Sequence, residues 1–342
     1  MRFHGLHLVL FLALLAGCTL PGNAAPVLKI GLIAPFEGLG RSTGYATLEE
    51  VKGKLALANE GQRFGPYKVV LVALNDDSDG RSAAFQAQAL AQDRDLLAVL
   101  GPWTTDTVGG VAPVLAAASI PALVAGVVES GSGPIGLLCP PAAEIAAALV
   151  KAAPHPVDSP LLIAGPENAL ARALEQAAPD ALRVTSGTQD AALFCTTGSA
   201  DACRRTVLYT GDAAQGADDL VRWRASGWTG ALLGGPDLAA LPILAARAGA
   251  AAEGAQAVMC VLPHAAASQE RGDASVKELS ALAAQSAQLL IDAIAEDVAQ
   301  RGRPSREGVQ AALAEGGIRP ELVWLRCESG GWRLGREALP GE

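Results

Sequence analysis

The sequence predicts an α/β fold of two doubly wound lobes, each built on a parallel sheet. Three observations carry this. Short apolar runs alternate strictly with segments of helical spacing from Val27 to Gly126. After the Gly- and Pro-rich stretch 131–141, "GSGPIGLLCPP", the same alternation starts again and runs to Pro263. The apolar runs lack an in/out alternation, as strands do when helices cover both faces of their sheet. A chain of 342 residues, half of them hydrophobic, has the length and the apolar content for two cores of this kind.

The elements follow in order. "VLKIGLIAP" (Val27–Pro35) reads as a buried strand closed by proline, and Thr43 to Glu60 as a helix. "YKVVLVALN" (Tyr67–Asn75) is a strand, Arg81 to Arg94 a helix, "LLAVLG" (Leu96–Gly101) a strand, Thr105 to Ala118 a helix, and "IPALVAG" (Ile120–Gly126) a strand. In the second unit Glu144 to Ala152 is helical. "PLLIAG" (Pro160–Gly165) is then a strand, Glu167 to Ala177 a helix, "RTVLYTG" (Arg205–Gly211) a strand, and Ala213 to Ala225 a helix. "GALLGG" (Gly230–Gly235) is a strand with a helix after Pro236, and "AQAVMCVLP" (Ala255–Pro263) is a strand. A long helix, Val276 to Gln300, and a second from Ser305 to Ala314 precede two short strands, "ELVWLRC" and "GWRLG". If the long helix packs on the first unit, the chain crosses between units more than once, which makes a hinge and a closing cleft.

The first residues are read as an export signal rather than part of the fold. Arg2 precedes an apolar run, Leu8 to Leu15, too short to span a membrane. The run ends in Leu15-Ala16-Gly17-Cys18, similar to a bacterial lipobox, in which cleavage leaves a lipid-modified cysteine. The expectation is a signal at 1–17, a lipid anchor on Cys18 and a tether over 18–26, placing the protein outside the cytoplasm. Disulfides are allowed there. Cys195 and Cys203 bracket the polar stretch "TTGSADA" and are expected to pair, while the pairing of Cys139, Cys260 and Cys327 stays open.

Several function classes are disfavoured. The net charge of −9, without a Lys/Arg cluster, argues against a nucleic-acid partner. There is no CxxC, and His155 and His264 stand alone beside prolines, so no zinc site is expected. Gly131 to Gly136 fits GxGxxG, but Pro134 lies within it and an extended segment follows, so a crossover loop explains its glycines and no cofactor is expected. "NDDSDG" (Asn75–Gly80) begins like a calcium loop. Its twelfth position is Gln86 where a bidentate Glu is needed, and it lies between a strand and a helix. Asp79 is expected to cap that helix instead. No nucleophile signature suggests an enzyme.

Four stretches, "KIGLIAPFEGLG", "VALNDDSDGRSAAFQAQAL", "AVLGPWTTDT" and "IPALVAGVVES", occur in order, and "REGVQAAL" (Arg306–Leu313) follows near the C-terminus. Together they resemble the leucine/isoleucine/valine-binding family of type 1 periplasmic solute-binding proteins, from Val27 to the end. The resemblance implies two lobes joined by three hinge crossovers, a small-molecule ligand between them and an ABC permease as partner. The lobes are drawn at 27–138 plus 264–318 and 139–263 plus 319–342, in a monomer. It also implies ligand contacts from Trp103, Thr104 and Thr105, where helix N-terminal amides and hydroxyls would meet a ligand carboxylate. Thr104 and Thr105 equally suit plain capping, and Trp103 either walls the pocket or packs in the core. Gly126 and Glu129 follow the strand "IPALV", with no hydroxyl until Ser130; Glu129 supplies a polar contact or is a loop acid. "GGPDLA" puts forward Asp237, to meet a ligand ammonium or to cap a helix.

The sequence departs from the family where aromatic residues stack on the ligand. Thr43 stands in the first loop, Pro166-Glu167-Asn168 lacks a tyrosine, and Asp212 follows "RTVLYTG". Asp212, Asp237 and Glu129 would favour a ligand with positive charge or many donors. The expected function is lipid-anchored capture of a small polar ligand, an amino acid or derivative, for an ABC importer. A ligand-sensing receptor of the same fold, or a degenerate member with an envelope role, are the alternatives.

Overall fold

The computed structural model describes residues 25–129, 133–154, 160–184, 203–263 and 273–335. The expected leader, Cys18 and Cys195 lie outside the described residues. Among the described residues no helix is long and apolar enough to cross a membrane.

The first lobe is a five-stranded parallel sheet. β1 (Val27–Ala34) pairs with β2 (Lys68–Asn75) on one side and β3 (Leu96–Leu100) on the other; β4 (Ala122–Val124) and β5 (Ile135–Leu137) continue outward, in the order β2-β1-β3-β4-β5. α1 (Arg41–Glu60), α2 (Gly80–Ala91) and α3 (Thr105–Ala117) cover it. All of β3 is buried, as a strand covered on both faces must be. Two close approaches seat the helices. Gly31 of β1 lies so near α2 that a Cβ there would come within 2.7 Å of Leu90. Gly110 of α3 presses on Gly80, and a methyl at Gly110 would overlap the Gly80 carbonyl oxygen. Asp106 tightens the same contact by accepting the Gly80 N–H at 2.7 Å.

The second lobe holds seven strands in the order β12-β11-β10-β9-β8-β6-β7. β6 (Leu162–Ala164), β7 (Leu182–Val184), β8 (Val207–Tyr209), β9 (Leu232–Gly234) and β10 (Gln256–Val261) run parallel; β11 (Glu321–Glu328) and β12 (Gly331–Leu334) add an antiparallel edge. β7 has no counterpart in the sequence reading. Three residues, of which only Val184 is buried, are too few to print a period. The helices are α4 (Ala142–Ala152), α5 (Ala169–Ala177), α6 (Ala213–Ala225), α7 (Pro236–Ala239) and α8 (Ile243–Ala248). The helix expected after Pro236 is thus two short pieces.

The core is mostly Ala, Val, Leu and Ile, with Phe64, Trp103, Tyr209, Trp223, Trp228 and Trp332 among its aromatics. In the second lobe Tyr209, Trp223 and Trp228 pack edge to face, with ring centroids 6.2 and 5.7 Å apart, and Trp332 is fully buried.

α9 (Ala274–Arg301) ties the lobes together. Asp273 caps its start through Ser275 N–H and also accepts the Trp332 amide of β12, in the second sheet. Further along, α9 packs against α1 and against α10 (Arg306–Gly316), both on the first lobe. Gly302, in the left-handed region at φ 72°, ends it. Arg306 then fixes α10 by donating to the backbone carbonyls of Leu96 and Asp93, both at 2.8 Å. The chain therefore passes between sheets after β5, between β10 and α9, and between α10 and β11.

A disulfide joins Cys139, just past β5, to Cys260 in β10. It staples two of the three passages. Cys203 is also disulfide-bonded; its expected partner Cys195 lies outside the described residues. Cys327 is a free, buried thiol, pushed up to about 11 by burial and by the nearby Glu253, Asp273 and Glu328.

Candidate functional site

The carboxyl ends of the strands in both sheets open on one cleft of about 530 Å³. In open α/β sheets the loops at these ends are where ligands bind. The first lobe contributes Ser78, Thr104, Thr105 and Asp106; the second contributes Pro166 to Asn168, Thr210 to Gln215, Asp237, Leu241 and Ile243.

The loop from β3 to α3 is built around Gly101, at φ 72° and packed on the Ile33 carbonyl, where a side chain would not fit. Trp103 turns into the core at 3% exposure and is not among the cleft-lining residues. Thr104 is the N-cap of α3. Its amide donates to Thr107 Oγ1 at 3.3 Å and the two hydroxyls lie 2.7 Å apart. The Thr105 hydroxyl accepts the Val127 N–H at 2.9 Å. Gly126 is placed beneath this turn, where a Cβ would stand 3.1 Å from Thr105 Cα and 2.9 Å from Val108 Cγ2. It lets the loop after β4 approach α3 and does not line the cleft.

Asp237 comes from the second lobe, in the first turn of α7 behind Gly235 and Pro236. Its Oδ1 accepts the Thr105 backbone N–H at 2.9 Å, a bond spanning 132 residues and both lobes. The two groups expected to hold opposite ends of a ligand thus meet each other. Burial pushes the Asp237 carboxyl up to about 6; hydrogen bonds from Thr105 oppose this, and the charges of Asp212 and Asp106 add to it. Asp212 lines the cleft while capping α6: its Oδ1 accepts from Ala214 N at 2.7 Å and Gln215 N at 2.9 Å. Asn168 caps α5 through Ala171 N and donates to the Thr210 carbonyl at 2.7 Å, bracing the two second-lobe loops against each other.

Glu129 stands outside the cleft lining. It receives a hydrogen bond from Arg172 Nη2 at 2.5 Å, an exposed ion pair across the lobes, and Arg172 also reaches Glu167 at 3.3 Å. Exposed pairs of this kind are worth little in stability. Thr43 is fully buried within α1 and is not among the cleft-lining residues.

The sequence reading passed over Ser78, Asp106, Glu167, Asn168, Thr210, Gln215, Leu241 and Ile243 as ligand contacts. Four of these, Ser78, Glu167, Asn168 and Thr210, stand in loops that follow a strand, so reading every strand-to-helix loop as cleft wall would have found them; Asp106 and Gln215 lie in the first turn of the next helix, and Leu241 and Ile243 follow α7. Ser78 belongs to "NDDSDG". There Asp79 caps α2 through Ser82 N at 2.8 Å, and Asn75 Oδ1 accepts the Phe36 N–H at 2.8 Å. Asp76 is 1% exposed and accepts from Ser78 N. These acids are turn and cap groups, and no cluster that could hold a metal ion occurs among the described residues.

No family model matches the chain, and no curated protein matches it. Solved structures do. A leucine-binding protein LivK from Thermotoga maritima is 19% identical, with TM-score 0.68 over 90% of this chain and 98% of that one. LivJ, a branched-chain amino acid transporter substrate-binding protein of Streptococcus pneumoniae in complex with isoleucine, is 14% identical, with TM-score 0.66 over 90% and 97%. An extracellular ligand-binding receptor from Rhodopseudomonas palustris is 11% identical, with TM-score 0.64 over 92% and 100%. The chain therefore has the fold of these type 1 binding proteins over nearly its whole length.

Proposed function

We propose that this chain, folded as a type 1 periplasmic binding protein, is an extracytoplasmic, lipid-anchored solute-binding protein that captures a small polar ligand and delivers it to an ABC importer. The lobes of the working unit are 27–138 plus 264–318 and 139–263 plus 319–342, with Cys18 as the lipid-bearing N-terminus. The observation that carries the reading is the cleft at the strand ends, whose walls come from both lobes and are joined by the Thr105–Asp237 hydrogen bond. Its volume of about 530 Å³ is that of a small-molecule site. A ligand touching both walls stabilises the closed arrangement by its differential affinity, and the closed form is what a permease would recognise. No covalent step is involved.

Two measurements test this. Native mass spectrometry of the protein purified from its host should show a released small molecule, and adding that molecule back should compact the protein in small-angle scattering. Absence of any bound or compacting solute would refute capture. Separately, Cys18→Ser should release the protein from membranes once its signal is removed; continued pelleting after signal removal would refute the anchor.

A further inference from the structure

Resting on that reading, we propose that the ligand is a small cation rich in N–H donors and without a free carboxylate, such as a primary amine, a polyamine or a guanidinium compound. The groups at the start of α3 expected to greet a carboxylate are already engaged by the chain. The Thr105 amide at the start of α3 donates to Asp237 Oδ1 at 2.9 Å. The Thr104 hydroxyl faces that of Thr107 at 2.7 Å, and the Thr105 hydroxyl takes the Val127 amide at 2.9 Å. Asp237 itself thus stands as the anion at this helix terminus, the position where backbone donors and the helix dipole hold negative charge. A ligand carboxylate would have to displace it and then lie beside it.

Among the described residues, the charged side chains lining the cleft are Asp106, Glu167, Asp212 and Asp237, with no lysine or arginine. Glu167 is balanced by Arg172 and Arg183. The other three each commit one oxygen to a backbone amide: Asp106 to Gly80, Asp212 to Ala214 and Gln215, Asp237 to Thr105. A carboxylate accepts through both oxygens, so each retains acceptor capacity toward a donor in the cleft. Asp212 and Asp106 are close enough to act on the Asp237 carboxyl, which a bound cation would relieve. Among the described lining residues there is no aromatic ring of the kind that cages quaternary ammonium, and carboxylate acceptors select N–H donors.

Matched pairs separate the possibilities: agmatine against arginine, 3-methylbutylamine against leucine, with putrescine as a third amine. Each is titrated into the mature chain by calorimetry and checked by thermal shift. The expected result is at least tenfold tighter binding of the decarboxylated member of a pair. Asp237→Asn keeps an oxygen for the Thr105 amide while removing the charge, and should weaken the amine at least tenfold without lowering the melting temperature. Asp237→Ala frees that amide and should invert the preference toward the amino acid. If the parent amino acid binds as tightly as its amine to the unaltered chain, the ligand class is wrong while solute capture stands. If no member of either series binds, the ligand class is wrong; capture itself falls only if native mass spectrometry of the host-purified protein also releases no small molecule.

Discussion

Removing the Cys139–Cys260 cross-link should destabilise the second lobe by several kcal/mol. The two cysteines are 121 residues apart in sequence. In the loop-entropy account, a link closing about 120 residues restricts the unfolded ensemble by about 5 kcal/mol at 25 °C. That is an upper limit, because native strain and residual structure in the unfolded chain reduce what a cross-link delivers. Both half-cystines are buried, at 5% and 2% exposure, so alanine is the proper replacement; serine would bury hydroxyl groups as well. The expected loss for Cys139→Ala with Cys260→Ala is about 3–5 kcal/mol. It is read by urea unfolding without reductant, since reductant would open the Cys203 bond too. Tryptophan fluorescence reports the second lobe, because Trp223, Trp228, Trp324 and Trp332 all lie there and only Trp103 lies in the first. The double variant should also show a larger denaturant dependence, its unfolded chain being more expanded. A second-lobe transition within about 1 kcal/mol of the parent, at an unchanged slope, would refute the argument that this link constrains the unfolded chain.

Asp76 is buried, and desolvation pushes its carboxyl up to about 6 against backbone hydrogen bonds that favour the charged form. The folded state then binds its proton more tightly than the unfolded chain, so this group's contribution is present below about pH 4 and is lost as pH rises through 6, by about 3 kcal/mol at most. Asp76→Asn should therefore stabilise by about 1–2 kcal/mol at pH 7 and by almost nothing at pH 4, measured by urea midpoints from circular dichroism; equal shifts at both pH values would contradict this. Gly110→Ala adds a methyl that overlaps the Gly80 carbonyl, so α3 must move off α2. It should cost about 1–3 kcal/mol and reduce exchange protection of the Thr105 amide, seen by hydrogen exchange; parental protection at Thr105 would show that the α2–α3 contact does not position this terminus.

The sequence by itself determined which segments are strands and helices wherever a run was long enough to show its period. The strand and helix pairs from Val27 to Ala118 and the final hairpin fall where the pattern puts them, and α6 spans the predicted Ala213–Ala225. The cap at Asp79 was equally legible, because a cap depends on residues within one turn. The tertiary structure alone decided what crosses long separations. Strand order, the pairing of Cys139 with Cys260 and the meeting of Thr105 with Asp237 each join segments whose local patterns carry no mark of the partner. It also decided where several of the scarce aromatics go: Trp103, Tyr209, Trp223 and Trp228 are drawn into the cores and do not line the cleft. The physical reason is one of range. Periodicity records that a face will be buried, whereas the group that covers it is chosen when the whole chain closes.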